Sequence, residues 1–322
     1  MEWQTRVTKL LGIRYPIIQG AFGLLGNANL AVAVSEAGGL GMITATALRT
    51  PERLRKEIRR ARSMTDKPFA VNLSPTVDPG LGIMREVAIE EKVPVIETAG
   101  YRSADHGRRV KEAGLIWIHK VTTVRHAIAA ERDGADAVCI VGLEGAAFKN
   151  PTTLTTLVSI PLAVRQVKIP VIAAGGIGDA RGFLAALALG AEAVLLGTLF
   201  LAAKECPLSE RRKQALVKAD PYDPQWRDLV LTTPKPGDME KVIEHVKEVG
   251  GSEAILRAVA EVEMFGMRDP SLGFPYPASS AVGFIDRIVT ARELIDGIIK
   301  GAEEILTSGG IGGWKLAPKP SA

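Results

Sequence analysis

Cysteine, histidine and aromatic side chains are all scarce in this chain of 322 residues, and each scarcity excludes something. Two cysteines, Cys139 and Cys206, offer no disulfide framework and no CxxC metal pair. The chain therefore reads as cytoplasmic and reduced, with no metal site. Aromatic residues make up only 5% against 47% hydrophobic overall, a balance that suits one large α/β domain or a barrel with an insertion. No apolar run reaches membrane-spanning length, and Met1–Lys9 is polar and mixed. Neither a membrane span nor a signal peptide is expected. Charge of one sign is also lacking, since the net value is +4. The densest basic patch, Arg53–Arg62, carries Leu54, Ile58 and Ala61 at helical spacing. Its cations are expected to coat a solvated helix face rather than bind nucleic acid.

What the chain does have is glycine at particular places. The apolar run Ile169–Ala174 stops at Gly175-Gly176, and Asp179 then caps a helix rich in Ala and Leu. That helix ends at Gly190, and a second apolar run, Ala191–Leu196, stops at Gly197-Thr198. Two consecutive βα units thus end their strands in glycines, where backbone N–H groups can approach an anion closely. In an eight-stranded β/α barrel the loops after strands seven and eight form the usual phosphate site, helped by a short extra helix.

The rest of the chain supplies the other six units. Strands are expected at 16–20, 40–44, 68–73, 93–97, 115–120 and 137–141, with helices between them, one opened by Pro51 at a favoured first position. Short, continuously apolar strands separated by amphipathic helices indicate a parallel sheet buried on both faces. Eight of them in about 200 residues indicate a closed (β/α)8 TIM barrel over residues 1–206. Residues 207–286 break the pattern with helical stretches at 211–219, 239–249 and 252–265, then a Gly/Pro-rich loop. A helical insertion leaving strand eight emerges at the C-terminal rim and is placed to act as a lid. Residues 287–308 read as the last barrel helix, and 309–322 as a loose tail.

With these residues in view, the chain resembles the FMN-dependent nitronate monooxygenases, formerly 2-nitropropane dioxygenases. It is similar in particular to the NADH:quinone reductase branch of a superfamily that also holds FMN-type enoyl-acyl-carrier-protein reductases. The resemblance runs from about Arg14 to Glu304 and is carried by several segments together. These are Pro16-Ile-Ile-Gln-Gly20, Ala37-Gly-Gly-Leu-Gly41, Glu97-Thr-Ala-Gly100, His119 to Ala127, Gly182 to Thr198 and Phe200 to Pro207.

Carried over, the resemblance implies an FMN site and NADH or NADPH as reductant. Gly175, Gly176, Gly197 and Thr198 would hold the phosphate, and Asn72 the ring or ribityl chain. Lys120 would lie beside the flavin and tune it, with the backbone of Ala21 and Phe22 lining the ring. After strand six the family carries a Gly-x-Glu-x-x-x-His pattern. Here Gly142 and Glu144 are present, but Phe148 stands where the catalytic histidine belongs. Phenylalanine moves no proton, and losing such a group typically costs about 10²–10⁴ in rate.

The four histidines do not obviously replace it. Strand alternation sends His119 away from Lys120, toward the helices. His126 falls in a helix, His245 in the insertion, and His106 at the start of the helix after strand four. Glu144 is expected to orient its loop, with a role as catalytic base the alternative. Phe22, Tyr101, Phe148, Met264, Phe265, Met267, Phe274 and Tyr276 would line an apolar pocket if the insertion closes over the rim.

Three functions remain open. One is NAD(P)H-dependent reduction of a quinone or a conjugated enone or enoyl thioester, to which loss of the histidine is the mildest objection. Another is oxidation of alkyl nitronates with O2. The last is phosphate or flavin binding with lapsed catalysis. The expected partner is a small-molecule substrate, with neither nucleic acid nor membrane, and a homodimer is the assembly left open.

Overall fold

The computed structural model describes residues 1–21, 25–48, 50–74, 80–100, 102–146, 152–222 and 278–308. Among them eight strands form one parallel sheet: β1 (Ile17–Gln19), β2 (Gly41–Thr44), β3 (Phe69–Leu73), β4 (Val95–Ala99), β5 (Ile116–Val121), β6 (Ala137–Val141), β7 (Val171–Ala174) and β8 (Ala193–Leu196). Their order, β1-β8-β7-β6-β5-β4-β3-β2, leaves one seam between β1 and β2. Backbone bonds close it: Gln19 N donates to Leu40 O, and Leu40 N to Ile17 O, each at 2.9 Å. The Gln19 side chain extends the seam, with Nε2 donating to Met42 O at 3.0 Å and Oε1 accepting from Met42 N at 3.1 Å. A buried amide thereby stands in for one rung of the ladder. The chain is a (β/α)8 barrel, as its strand spacing predicts.

Because every strand is buried on both faces, its residues divide between two cores. Ile18, Leu40, Met42, Ala70, Val95, Ile118, Ala137, Cys139, Ile172, Ala174, Ala193 and Leu195 pack inside the barrel. Ile43, Val71, Ile96, Trp117, Val138, Ala173 and Val194 pack outward, against the helices. The N-terminal helix α1 (Arg6–Leu11), held by a Thr5–Thr8 capping box, adds Val7 and Leu11 to the inner core. Arg6 bonds Glu192 and Lys168 O, just ahead of β8 and β7, so α1 stoppers the N-terminal end of the barrel. Polar chemistry is left to the opposite, C-terminal end.

The outer ring continues with α2 (Ala28–Glu36), α3 (Ala45–Leu48), α4 (Pro51–Met64), α5 (Leu81–Glu90), α6 (Ala104–Glu112), α7 (Val124–Arg132), α8 (Thr156–Val164) and α9 (Ala180–Ala188). Next come the short extra helix α10 (Thr198–Leu201), then α11 (Glu210–Val217) and α12 (Ala291–Thr307). Helix α12 packs against both α9 and α2, which makes it the last member of the ring. On α4, Leu54, Ile58 and Ala61 are buried, as the helical spacing requires. Arg55, Arg59 and Arg62 of the same helix converge on Glu91 at the end of α5, so the basic patch is tied into the helix layer.

One expectation needs correcting. The fourth strand runs from 95 to 99 instead of 93 to 97, because its ladder to β5 starts at Val95–Ile116, after the donor-less Pro94. Glu97 therefore sits in the middle of β4, not at its end. The two longer insertion helices, at 239–249 and 252–265, and the tail at 309–322 lie outside the described residues. No described helix is long and apolar enough to cross a membrane.

Candidate active site at the barrel mouth

Side chains build one half of the mouth. Inward positions on β3, β4 and β5 carry Asn72, Glu97 and Lys120, and parallel register sets the first two directly opposite each other. Asn72 Nδ2 donates to Glu97 Oε2 at 2.5 Å, and Ser74 Oγ donates to Asn72 Oδ1 at 2.8 Å. Both amide ends are engaged, so the orientation of Asn72 is fixed. Lys120 Nζ lies 3.8 Å from Glu97 Oε1. That oxygen makes no hydrogen bond among the described residues, although Glu97 is 0% exposed and Lys120 only 14%. Below them on β6, opposite Lys120 in register, lies Cys139. Burial pushes its thiol pKa well above the ordinary value, and the Glu97 charge acts in the same direction. Cys139 is a core side chain and not a nucleophile.

Backbone builds the other half. Gly175 and Gly176, after β7, take φ of +100° and +73°, a consecutive left-handed pair that only glycine adopts without strain. A Cβ at Gly175 would lie 3.0 Å from Gly145 N and from Thr156 Oγ1, and one at Gly176 would lie 3.2 Å from Glu144 Cβ. The turn after β7 therefore nests against the loop after β6. Glu144 anchors that loop by accepting from Thr156 N at 2.8 Å, which places its charge at the N-terminus of α8. The Thr156 hydroxyl sits 2.9 Å from both Glu144 Oε2 and Gly175 O, tying the two loops together. Gly142 makes this possible, since a Cβ there would fall 2.1 Å from Thr156 Oγ1 and 2.4 Å from Thr156 N. Glu144 thus braces its loop through Thr156.

At the closing seam Gly20 N donates to Leu196 O at 2.8 Å, and Gly20 packs against Gly197. Thr198 begins α10, the extra helix that a phosphate-binding barrel calls for. Its hydroxyl is engaged: Ser279 N donates to Thr198 Oγ1 at 3.0 Å, and the two hydroxyls lie 3.0 Å apart. Ser279 opens the 3-10 turn Ser280–Phe284, so this turn is fastened to the rim beside β8. Ala21 is half-buried against the inner core.

Phe22, Tyr101 and Phe148 lie outside the described residues, as do Met264, Phe265, Met267, Phe274 and Tyr276. His119 points outward, 5.8 Å from the Trp117 ring between centroids, with Nδ1 2.8 Å from Thr98 Oγ1. Burial lowers its pKa to about 4. His106 and His126 lie on the outer helices α6 and α7. Among the described residues, no histidine faces the inside of the barrel, and no cluster of three side chains is arranged to hold a metal ion.

The structure therefore joins Asn72 to Lys120, and Gly142, Glu144, Gly175 and Gly176 to one another. It also adds residues that sequence reasoning passed over. Glu97 had a signal: a lone carboxylate in the run Val95-Ile96-Glu97, on a strand buried on both faces, needs a partner. Thr156 and Ser279 gave none, since each acts on a residue distant in sequence. The donor set fits a flavin mononucleotide: a backbone turn that a Cβ would obstruct, an amide of fixed orientation, and a half-sequestered cation beside an orphaned carboxylate oxygen.

Both the sequence and the fold resemble known proteins. The sequence profile of the family described as nitronate monooxygenase matches residues 4–301. A protein of Mycobacterium tuberculosis named (3aS,4S,5R,7aS)-5-hydroxy-7a-methyl-1-oxo-octahydro-1H-indene-4-carboxyl-CoA dehydrogenase is 37% identical over 68% of this chain and 61% of its own length. A probable nitronate monooxygenase of Staphylococcus saprophyticus is 32% identical over 77% of this chain and 82% of its own. Among solved structures, FabK from Thermotoga maritima superposes with a TM-score of 0.76 at 33% identity, covering 95% of this chain and 98% of that one.

Proposed function

Because the chain belongs to the nitronate monooxygenase family, whose members are flavin-dependent oxidoreductases, we propose that it is an FMN-dependent reductase. It would use NADH or NADPH to reduce a quinone or a conjugated enone or enoyl thioester. The observation that carries this reading is Phe148 in the sequence, the position to which the family resemblance assigns the proton-transferring histidine. Hydride transfer needs alignment more than a side-chain base, so a reductase tolerates that replacement best.

Bound FMN would supply the hydride chemistry between a nicotinamide and the acceptor. The amides of Gly175, Gly176 and Gly197 would hold its phosphate, with Thr198 held in place by Ser279. Asn72 would meet the ring or ribityl chain with its amide already oriented. Lys120 would set a positive charge beside the ring, and the backbone of Ala21 and Phe22 would line it. Gly142 and Glu144 support the cradle from behind. Among acceptors, the carboxyl-CoA thioester in the name of the Mycobacterium relative favours an acyl thioester.

Nitronate oxidation is the second reading, supported by the family description and the Staphylococcus relative. Anaerobic addition of NADH or NADPH to the purified protein, followed by separate addition of quinones, enoyl thioesters and a nitronate, distinguishes the two. We expect the flavin colour to bleach with a nicotinamide and return fastest with a thioester or quinone. Rapid aerobic nitronate turnover without any nicotinamide, together with failure of both nicotinamides to bleach the flavin, would reverse the assignment.

A further inference from the structure

We infer that Glu97 is the positioning residue of the barrel-mouth site, acting through Asn72 and Lys120 together; the inference rests on the FMN reading above. Glu97 comes from the strand between the other two, is fully buried, and divides its two oxygens between them. Oε2 takes the Asn72 amide at 2.5 Å, and Oε1 faces the Lys120 ammonium at 3.8 Å with no other partner among the described residues. A carboxylate withdrawn from water in this way is costly unless it is paired. Here the pairing is uneven, with one short hydrogen bond and one looser ionic contact. The looser contact leaves Lys120 a vector toward the mouth, while Glu97 offsets part of its charge.

Two consequences follow. Glu97 sets which end of the Asn72 amide is committed to the barrel, since a carboxylate only accepts and so takes the NH2 end. It also limits how much positive charge Lys120 presents to a bound group. A cation near FMN favours its more electron-rich state, so removing Glu97 and removing Lys120 should move the flavin potential in opposite directions.

The test is a double-mutant cycle with Glu97→Gln, Lys120→Met and the combined variant. We expect the FMN potential, read by equilibration with a reference dye, to rise in Glu97→Gln and fall in Lys120→Met. In the double variant it should stay close to the Lys120→Met value, because with no ammonium to offset, the Glu97 substitution has little left to change. FMN affinity should drop about tenfold in Glu97→Gln, as the Asn72 amide loses a charged acceptor. Additive potentials, or a Glu97→Gln potential equal to wild type, would overturn the inference. Thermal midpoints of the four apo-proteins give a second readout. Coupled residues make the double variant more stable than the two single losses predict, whereas a double variant as defective as the sum of its parts overturns the coupling. Should the wild-type protein hold no FMN at all, the flavin reading fails, and the apo cycle still decides whether Glu97 acts through Lys120.

Discussion

The two halves of the barrel mouth are made of different materials. Across β3–β5 the polar groups are side chains, namely Asn72, Glu97 and Lys120, fixed by one another inside the barrel. Across β6–β8 they are backbone, exposed by Gly142, Gly175, Gly176 and Gly197 and braced from outside by Glu144 and Thr156. A side-chain site can be retuned by near-isosteric substitution. A backbone site has no such intermediate, because any Cβ displaces the loop that presents it.

That contrast predicts its largest effect at Gly142. Replacement by Val drives a side chain into Thr156 N and Oγ1. This should unseat the start of α8 and both loops tied to it, costing about 3 kcal/mol or more. Thermal melts should record that loss, and absorbance of the purified variant should find no retained FMN. A Gly142→Val protein that keeps normal flavin content would show that the cradle does not depend on the β6 loop.

The second effect separates the two faces of β5. His119, on the outward face, has its pKa lowered to about 4 by burial, against 6.5 for the free side chain. Between those values the unfolded chain binds a proton that the folded chain refuses. Stability should therefore be full above pH 6.5 and decline as pH falls toward 4, by about 3 kcal/mol from this group alone. Urea melts at pH 5 and pH 7 should differ accordingly, and the difference should shrink in His119→Gln. The flavin potential at fixed pH should not move in that variant, because His119 lies on the far side of the strand from Lys120.

The smallest effect is expected at Glu144. Substitution by Gln keeps a hydrogen-bond acceptor for Thr156 N but removes the charge from the N-terminus of α8, worth about 0.5–1 kcal/mol. The thermal midpoint should drop slightly while the potential stays unchanged. A shifted potential in Glu144→Gln would blur the division between a bracing half and a tuning half.

Much of the fold was legible because its signals are local. Apolar runs broken by glycine marked the strands, and Leu54, Ile58 and Ala61 marked the buried stripe of α4. Pairing was less legible: the apolar run suggests a β4 starting two residues early, since Val93 and Pro94 continue its apolar character but precede the paired register, Pro94 giving β5 only its carbonyl. In the site, Gly175 and Gly176 could be named from where their strand stops, whereas Asn72 and Lys120 were named by the family resemblance. Glu97 stood in view as an isolated carboxylate, without any indication of which neighbours it serves.

The sequence by itself determined the order of elements, the face on which each strand residue falls and the points where glycine opens the backbone, because periodicity and backbone sterics act over a few residues. Only the tertiary structure decided that Glu97 stands between Asn72 and Lys120, that Thr156 locks Glu144 to Gly175, and that Ser279 reaches Thr198. Those contacts depend on the register between strands and on closure of the β1–β2 seam through Gln19. Alternation along one strand says which side a residue faces but carries no information on what the next strand sets beside it.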